Sequence, residues 1–238
     1  MLETEFVQGI FKEELKNRFL CLVEVNGEDT LCYIPSSCRL SNFVDLRGKK
    51  VILTPVTSKN SRTKYSVYAL CMGRQHILLN MSLANKIVGN NLQNRRFSFL
   101  GSRKSVKKEY TVGNYKCDLY VEDTGTVIEI KSILAFDKMA YFPTVYSQRA
   151  IEQLMKINQL LDMGYNVCYI FISLNQKVRQ LQINSDIDDY YKLFRVCMQK
   201  GMLLKGYSLC FKNEDITIRS ELPVSVCSIE TGTPFGDS

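Results

Sequence analysis

The sequence predicts a mixed α/β (α+β) protein, a small closed β-barrel followed by an α/β sheet flanked by helices. Three observations lead there. The first third carries short apolar runs separated by turn residues, the pattern of a small barrel. From residue 82 onward apolar residues recur at steps of three and four, the period of a helix against a core. Residues 167–172 are an unbroken apolar run, as expected of a strand covered on both faces. The chain has 238 residues, enough for one large domain or two small ones.

Residues 18–25 are largely apolar, Asn26-Gly27 is a strong hairpin signal, and residues 30–34 return. Pro35-Ser36-Ser37 breaks that run, and Arg47-Gly48-Lys49 turns the chain again. Residues 51–56 and 64–70 supply further strands. An OB-like barrel is the commonest object of this size, although the strand pattern alone does not select it. The first domain is placed at 1–77 and the second at 78–228, with a polar, frayed tail at 229–238.

In the second domain residues 82–92 look helical, and residues 115–121 and 127–132 read as strands around Asp123-Thr124-Gly125-Thr126. A helix follows Pro143. Ser147 is its N-cap, Ile151, Leu154, Ile157 and Leu161 make its apolar stripe, and Gly164 stops it. Residues 188–199 form another helix ended by Gly201. Residues 207–212 and 216–219 close the sheet.

Composition narrows function. Hydrophobic residues are 45% and charged residues 23% of the chain, ordinary for a packed globular protein. Lys plus Arg number 31 against 24 Asp plus Glu, a net charge of +7, which fits a polyanionic partner without demanding one. The single histidine, His76, excludes multi-histidine zinc sites and two-histidine iron sites, and packing is the plain role for it. Nine cysteines without C-x-x-C spacing read as core thiols of a reducing, cytoplasmic compartment. The first residues are acidic where a secretory leader would be basic. The longest apolar run, about residues 167–174, is too short to span a bilayer, so no membrane partner is expected.

The informative segment is Tyr115-Lys116-Cys117-Asp118-Leu119-Tyr120-Val121, the turn, and Val127-Ile128-Glu129-Ile130-Lys131-Ser132. With the turn centred on Thr124-Gly125, Tyr120 falls opposite Glu129 and Asp118 opposite Lys131. Side chains alternate along a strand. Asp118, Tyr120, Glu129 and Lys131 then share one face, and Leu119, Val121, Ile128 and Ile130 form an apolar face behind it. Two carboxylates and an amine suit metal-assisted phosphodiester hydrolysis. Mg²⁺ takes carboxylate oxygens plus waters and lowers the pKa of a bound water, while a lysine orients that water and offsets transition-state charge. Glu109, upstream, could reach the same site. The plainer alternative is a solvated hairpin face with Asp118 paired to Lys131 across the strands.

Arg95, Arg96, Arg103, Lys104, Lys107 and Lys108 make a basic stretch that contains Phe97 and Phe99. Either it grips phosphates while the phenylalanines stack on unpaired bases, or it is a charged connector whose phenylalanines are core. Arg62 and Lys64 either face nucleic acid from the barrel or decorate a solvated edge. Arg149, early in the helix after the hairpin, is placed to reach a phosphate. Gln153 lies one turn later on the same helical face.

A series of pieces along the chain resembles one known family. They are Arg18-Phe19-Leu20, Leu79-Asn80-Met81-Ser82-Leu83-Ala84-Asn85, Lys108-Glu109-Tyr110, Asp118, Ile128-Glu129-Ile130-Lys131-Ser132, Phe142-Pro143, Arg149 with Leu154, Ile187-Asp188 with Tyr191, and Leu222-Pro223. In this order they resemble the sugar fermentation stimulation protein family over nearly the whole chain. The resemblance implies an N-terminal OB-type domain and a C-terminal domain of the PD-(D/E)xK, restriction-endonuclease-like class. It implies DNA binding and a nuclease assignment, with Asp118, Glu129 and Lys131 at the active-site positions and Glu109 as an extra metal ligand.

The sequence departs from the family where a His-x-Pro-Asn-Thr-Gly segment reads Tyr33-Ile34-Pro35-Ser36-Ser37-Cys38. It departs again where a helix signature Arg-Gly-x-Lys-His-Leu reads Arg149-Ala150-Ile151-Glu152-Gln153-Leu154, and where Thr144 replaces an aspartate.

The leading expectation is Mg²⁺- or Mn²⁺-dependent cleavage of DNA or RNA. Asp118, Glu129 and Glu109 would be metal ligands, and Lys131 would position water. Arg149, Gln153, Arg103, Lys104, Arg62 and Lys64 would contact nucleic acid. The rival is a non-catalytic DNA-binding regulator of sugar-metabolism genes on a nuclease-like scaffold.

Overall fold

Asn26 and Gly27 both take positive φ, 54° and 83°, the geometry of a two-residue hairpin turn whose twist matches its strands. The computed structural model describes residues 6–36, 39–42, 44–58, 60–73 and 75–226. The tail 229–238, Cys38 and Cys227 lie outside the described residues. The turn joins β2 (Leu20–Val25) to β3 (Glu28–Tyr33), with β1 (Val7–Glu14) ahead of them and β4 (Lys50–Pro55) and β5 (Tyr65–Met72) behind. β1 pairs antiparallel with both β2 and β4, β4 pairs with β5, and β3 closes the ring by a parallel pairing with β5. The circuit β1-β2-β3-β5-β4 is a closed five-stranded OB barrel.

β1 was not expected from the sequence, because Lys12, Glu13 and Glu14 hide its alternation. Only Gly9 and Phe11 are buried along it, and Gly9 is there for a steric reason. A β-carbon at that position would lie 2.5 Å from Val23 Cγ1 and 2.9 Å from the Glu24 carbonyl oxygen. The barrel core is Phe11, Val23, Ile34, Leu53, Val67 and their neighbours.

β6 (Gln75–Leu78) extends the barrel sheet beside β5 and hands the chain to the second domain, where the Leu78 N–H donates to the Leu174 carbonyl (3.1 Å). α1 (Leu83–Asn91) follows, then β7 (Val106–Val112), β8 (Tyr115–Val121), β9 (Thr126–Ile133) and β10 (Met139–Phe142). After them come α2 (Gln148–Asp162), β11 (Asn166–Ser173), β12 (Gln180–Ile183), α3 (Asp188–Gln199), β13 (Leu203–Lys212), β14 (Asp215–Glu221) and β15 (Val224–Ser225). The main sheet runs β14-β13-β11-β9-β8-β7, parallel at its centre and antiparallel at both edges. β10, β12 and β15 form a small parallel sheet alongside.

β11 is buried along seven of its eight residues, as the continuous apolar run required. One face of the main sheet packs on α2 and α3 through Ile151, Leu154, Ile157, Tyr169, Phe171 and Phe194. The other packs on α1 and on the barrel residues Ile52, Ala69 and Leu78, so barrel and sheet share a core.

The Ser147 hydroxyl accepts from the Ala150 N–H (3.3 Å) and caps α2. Leu160, rather than Leu161, is the fully buried member of the stripe at its end, and Leu161 is only partly covered. Gly164 and Gly201 take φ of 84° and 94°, the left-handed turn that follows a helix. His76 packs its ring 5.5 Å from Phe211, and each cysteine among the described residues is a free thiol. No helix among the described residues is long and apolar enough to cross a membrane.

Candidate active site

The hairpin β8–β9 is built two residues off the register expected from its turn. Leu119 pairs with Ile128, Tyr120 with Val127 and Val121 with Thr126. The cause is the connection, a short 3₁₀ turn at Glu122–Thr124 followed by Gly125 at φ 62°. A shift of two keeps the faces, so Leu119, Val121, Ile128 and Ile130 still lie together in one core cluster. Tyr120 keeps its face too, but it is not part of the site. Tyr120 stacks on Tyr110 with ring centroids 5.1 Å apart, outside the cleft that holds the acids.

Before Leu119 the two strands part. The Asp118 side chain enters the gap, and its Oδ2 accepts the Ile130 N–H (2.7 Å) in place of a strand carbonyl. Its Oδ1 accepts from Asn85 Nδ2 (2.6 Å) on the first turn of α1. Asn85 is held there because Leu83, Ala84 and Val88 seat α1 on the sheet. The Ser132 hydroxyl also donates to the Met81 carbonyl (2.7 Å) just before the helix.

Glu129 points to the same cleft but is only 3% exposed. Its Oε1 accepts from Lys131 Nζ (2.6 Å) and from Gln153 Nε2 (2.6 Å). Its Oε2 accepts from the Tyr115 hydroxyl. Lys131 Nζ also donates to Gln153 Oε1 (2.5 Å). Gln153 is thus clamped between the acid and the amine by both ends of its amide.

Burial raises the carboxyl pKa of Glu129, against the pull of Lys131. Burial likewise raises that of Asp118, against the Ile130 N–H, Lys131 and Asn85. Tyr115 is pushed up by burial and by the Glu129 charge, so its hydroxyl stays a donor. Two carboxylates that are costly to ionise flank Lys131 in an open cleft of about 430 Å³ whose rim also carries Glu109, Lys116 and Arg149.

Glu109 lines this cleft but is turned outward. Its side chain is 74% exposed and pairs with Lys116 Nζ at 2.6 Å, and that partner lowers its pKa. Its φ of 48° is strained for a residue inside a strand. The β7–β8 pairs on either side, Lys108 with Leu119 and Tyr110 with Cys117, step over it. No three metal-ligating side chains gather among the described residues, so the expected triple of Asp118, Glu129 and Glu109 is not assembled.

Arg149 is exposed on the cleft wall beside Gln153. The basic stretch is elsewhere and differently employed. The Arg103 guanidinium donates to the carbonyls of Leu92 (2.8 Å) and Gly101 (2.5 Å) and holds a loop, while Lys104 is exposed beyond it. Phe97 is fully buried against Tyr207, 5.5 Å between centroids. Phe99 is partly buried under Lys205. The base-stacking reading of these two rings is therefore replaced by packing. Arg62 and Lys64 are exposed on the barrel, with Lys64 5.3 Å over Tyr65.

Two members of the site were not picked out from the sequence. Asn85 sits within the motif run at the start of α1, but only the fold brings it to Asp118. Tyr115 has the strand parity of the apolar face, yet with Cys117 it lies in the core on the side of α2 and α3, and its hydroxyl reaches Glu129.

An OB barrel leads into a mixed sheet whose central hairpin offers two acids, a lysine and a clamped glutamine to one cleft, and that defines a two-domain α+β class. Within it, residues 15–79 match the SfsA N-terminal OB domain and residues 82–215 the sugar fermentation stimulation protein RE domain. The chain belongs to the sugar fermentation stimulation protein family.

A homolog from Clostridium acetobutylicum is 24% identical over 213 residues, 87% of this chain and 92% of that one. One from Clostridium botulinum is 23% identical over 231 residues, 95% of this chain and 96% of that one. Among solved structures, Pyrococcus furiosus SfsA in complex with Ca²⁺ aligns with a TM-score of 0.82 at 20% identity. It covers 94% of this chain and 98% of its own. At that identity the likeness is one of fold.

Proposed function

We propose that the protein is a metal-dependent nuclease of the PD-(D/E)xK class that hydrolyses phosphodiester bonds of nucleic acid in the cleft of Asp118, Glu129 and Lys131. The observation that carries this reading is the Glu129–Lys131–Gln153 clamp. It fixes a buried carboxylate and an ammonium side by side, next to a second carboxylate that replaces a strand hydrogen bond. A structural salt bridge has no need of an open cleft or of a second unpaired acid.

The donor set fits a hard divalent cation. Burial raises the pKa of both carboxylates, and a cation at the cleft would favour their charged forms. Asp118 and Glu129 would hold Mg²⁺ or Mn²⁺, with Glu109 on the rim. When bound, such an ion polarises the phosphoryl oxygens and lowers the pKa of an attacking water.

The rest falls to this chain's own groups. Lys131, held by Glu129 and Gln153, orients a water and offsets charge on the phosphoryl oxygens. Arg149 offers the exposed guanidinium of the cleft for a flanking phosphate. Asn85 holds the Asp118 carboxylate in place. The Ca²⁺ of the Pyrococcus furiosus SfsA complex supports a cation in this family. The free thiols of the described residues support a reducing, cytoplasmic setting.

A non-catalytic DNA-binding role is the second reading. It is favoured by the outward turn of Glu109 and by a Glu129 whose two oxygens are already bonded. Cleavage assays on single- and double-stranded DNA and on RNA, in Mg²⁺, Mn²⁺ or EDTA, separate the two. Metal-dependent cleavage that disappears in Lys131→Ala is expected. Nucleic-acid binding with no cleavage in any metal, unchanged by that substitution, would overturn the nuclease reading and leave the regulator.

A further inference from the structure

The cleft of the acids continues beyond them. Phe142, Ser147 and Ala150 line both this cleft and an adjoining groove of about 260 Å³. Met81 lines that groove and also the wall of a third hollow, about 680 Å³, on the barrel. Shared lining residues link the three hollows in order, and this succession makes a track from the barrel to the cleft of Lys131.

The chemistry of the track changes along its length. At the barrel end Phe19 and Tyr33 stack, with ring centroids 6.3 Å apart and planes 21° from parallel. The Arg18 guanidinium lies 4.8 Å over Phe19, and Tyr33 is 39% exposed. In the middle Tyr141 and Val145 present large apolar surface to water, 49% and 69% exposed. At the far end are the acids, Lys131 and Arg149.

We propose that this track binds an unpaired nucleic-acid strand. Its bases stack on Tyr33, which Phe19 backs, and lie along Tyr141 and Val145, and its backbone reaches the acids and Lys131. The inference rests on the nuclease reading for what happens at the far end, and it names the substrate class as single-stranded.

Exposed aromatic rings offer π faces to bases, and only unpaired bases can accept them. Stacking of this kind is tolerant of sequence. Arg18 adds a cation where a strand would enter, and the chain's net charge of +7 favours a polyanion at long range. The platform sits where β2 and β3 meet, the barrel face through which OB folds bind oligonucleotides. A double helix would bring phosphates, not bases, against the apolar middle of the track.

The test is anisotropy of a fluorescein-labelled oligothymidine, and of a labelled duplex of equal length, with the full chain in EDTA. Wild type is expected to bind the single strand more tightly than the duplex. Base–aromatic stacking predicts a loss of roughly 5- to 150-fold for Tyr33→Ala, with affinity kept in Tyr33→Phe and in the distant exposed control Met163→Ala. Arg18→Gln is expected to lower the salt slope by about 0.7, one phosphate contact to a single strand.

Wild-type affinity in both Tyr33→Ala and Phe19→Ala would overturn the proposal, as would tighter binding of the duplex. Cleavage scored separately in Mg²⁺ keeps the two readings apart. Tyr33-dependent binding without any cleavage supports the track and sinks the nuclease. Cleavage with Tyr33-independent binding sinks the track and leaves the nuclease standing.

Discussion

Asp118→Asn is expected to raise stability and abolish hydrolysis. Asp118 accepts two hydrogen bonds, from the Ile130 N–H at 2.7 Å and from Asn85 Nδ2 at 2.6 Å. An asparagine keeps both. Its oxygen takes the Ile130 N–H, and its amide donates to Asn85 Oδ1 once that amide turns over, which costs little on an exposed side chain. What is lost is a carboxylate whose pKa burial raises, that is, a charge the fold disfavours.

Relief of that cost is worth about 1 kcal/mol, the ordinary scale of stabilising substitutions at functional sites. In a chain of this size that is about 2–4 °C in Tm. The sign with pH follows from the raised pKa. The wild type is protonated and unpenalised below the ordinary aspartate range, and it loses stability as pH rises through the folded-state pKa. The gap between variant and wild type therefore opens from pH 4 to pH 7. Calorimetry in EDTA at both pH values reads it. A lower Tm for the variant, or the same gap at both pH values, would refute the account of Asp118 as a half-buried charge whose desolvation its partners do not fully offset. Wild-type cleavage by the variant would remove Asp118 from the chemistry.

Lys131→Met takes the one ammonium from Glu129 and lifts its carboxyl pKa further, so the variant should be less stable than wild type, and more so at pH 8 than at pH 5, by thermal denaturation in EDTA. Tyr115→Phe removes the hydroxyl donor to buried Glu129 and should cost about 1.5–3 kcal/mol in urea titration, the range for a hydrogen bond to a charged group. A negligible loss would mean that the Glu129 oxygen is satisfied otherwise. Gly9→Ala drives a β-carbon to 2.5 Å from Val23 Cγ1 on a strand bonded on both sides. It should cost about 1–3 kcal/mol without changing cleavage by the folded fraction.

The sequence carried the hairpin, its acids and its apolar back face, because strand parity survives a register slip of two. It did not carry the register itself. That depends on whether the chain turns in two residues or winds a 3₁₀ turn at Glu122–Thr124, and Asp123-Thr124-Gly125-Thr126 accommodates both. The helices at Leu83–Asn91, Gln148–Asp162 and Asp188–Gln199 were readable from period and caps. β1, β7, β10 and β12 were not. β1, bonded on both sides, and β7, at the sheet edge, are charged strands whose alternation is masked by lysine and glutamate. β10 and β12 are four-residue strands, too short to show a period. Arg103 shows the limit for charge patterns, since a basic run gives no sign of which guanidinium will be taken up by backbone carbonyls.

Asn85 and Tyr115 show why a site is less legible than a fold. Each touches an acid through contacts that span 33 and 14 residues, and neither residue type is unusual where it stands. What makes them part of the site is the parting of β8 from β9 below Leu119. That parting frees the Ile130 N–H for Asp118, and beyond it Tyr115 sits in the core on the side of α2 and α3 and bonds Glu129. The parting also lies beside Glu109, the strained residue of β7. A continuous ladder there would leave Asp118 as an ordinary strand residue pointing at solvent. The local loss of strand pairing is thus the step that converts a hairpin with two acids into a cleft with one buried acid, Glu129, and one half-buried, Asp118.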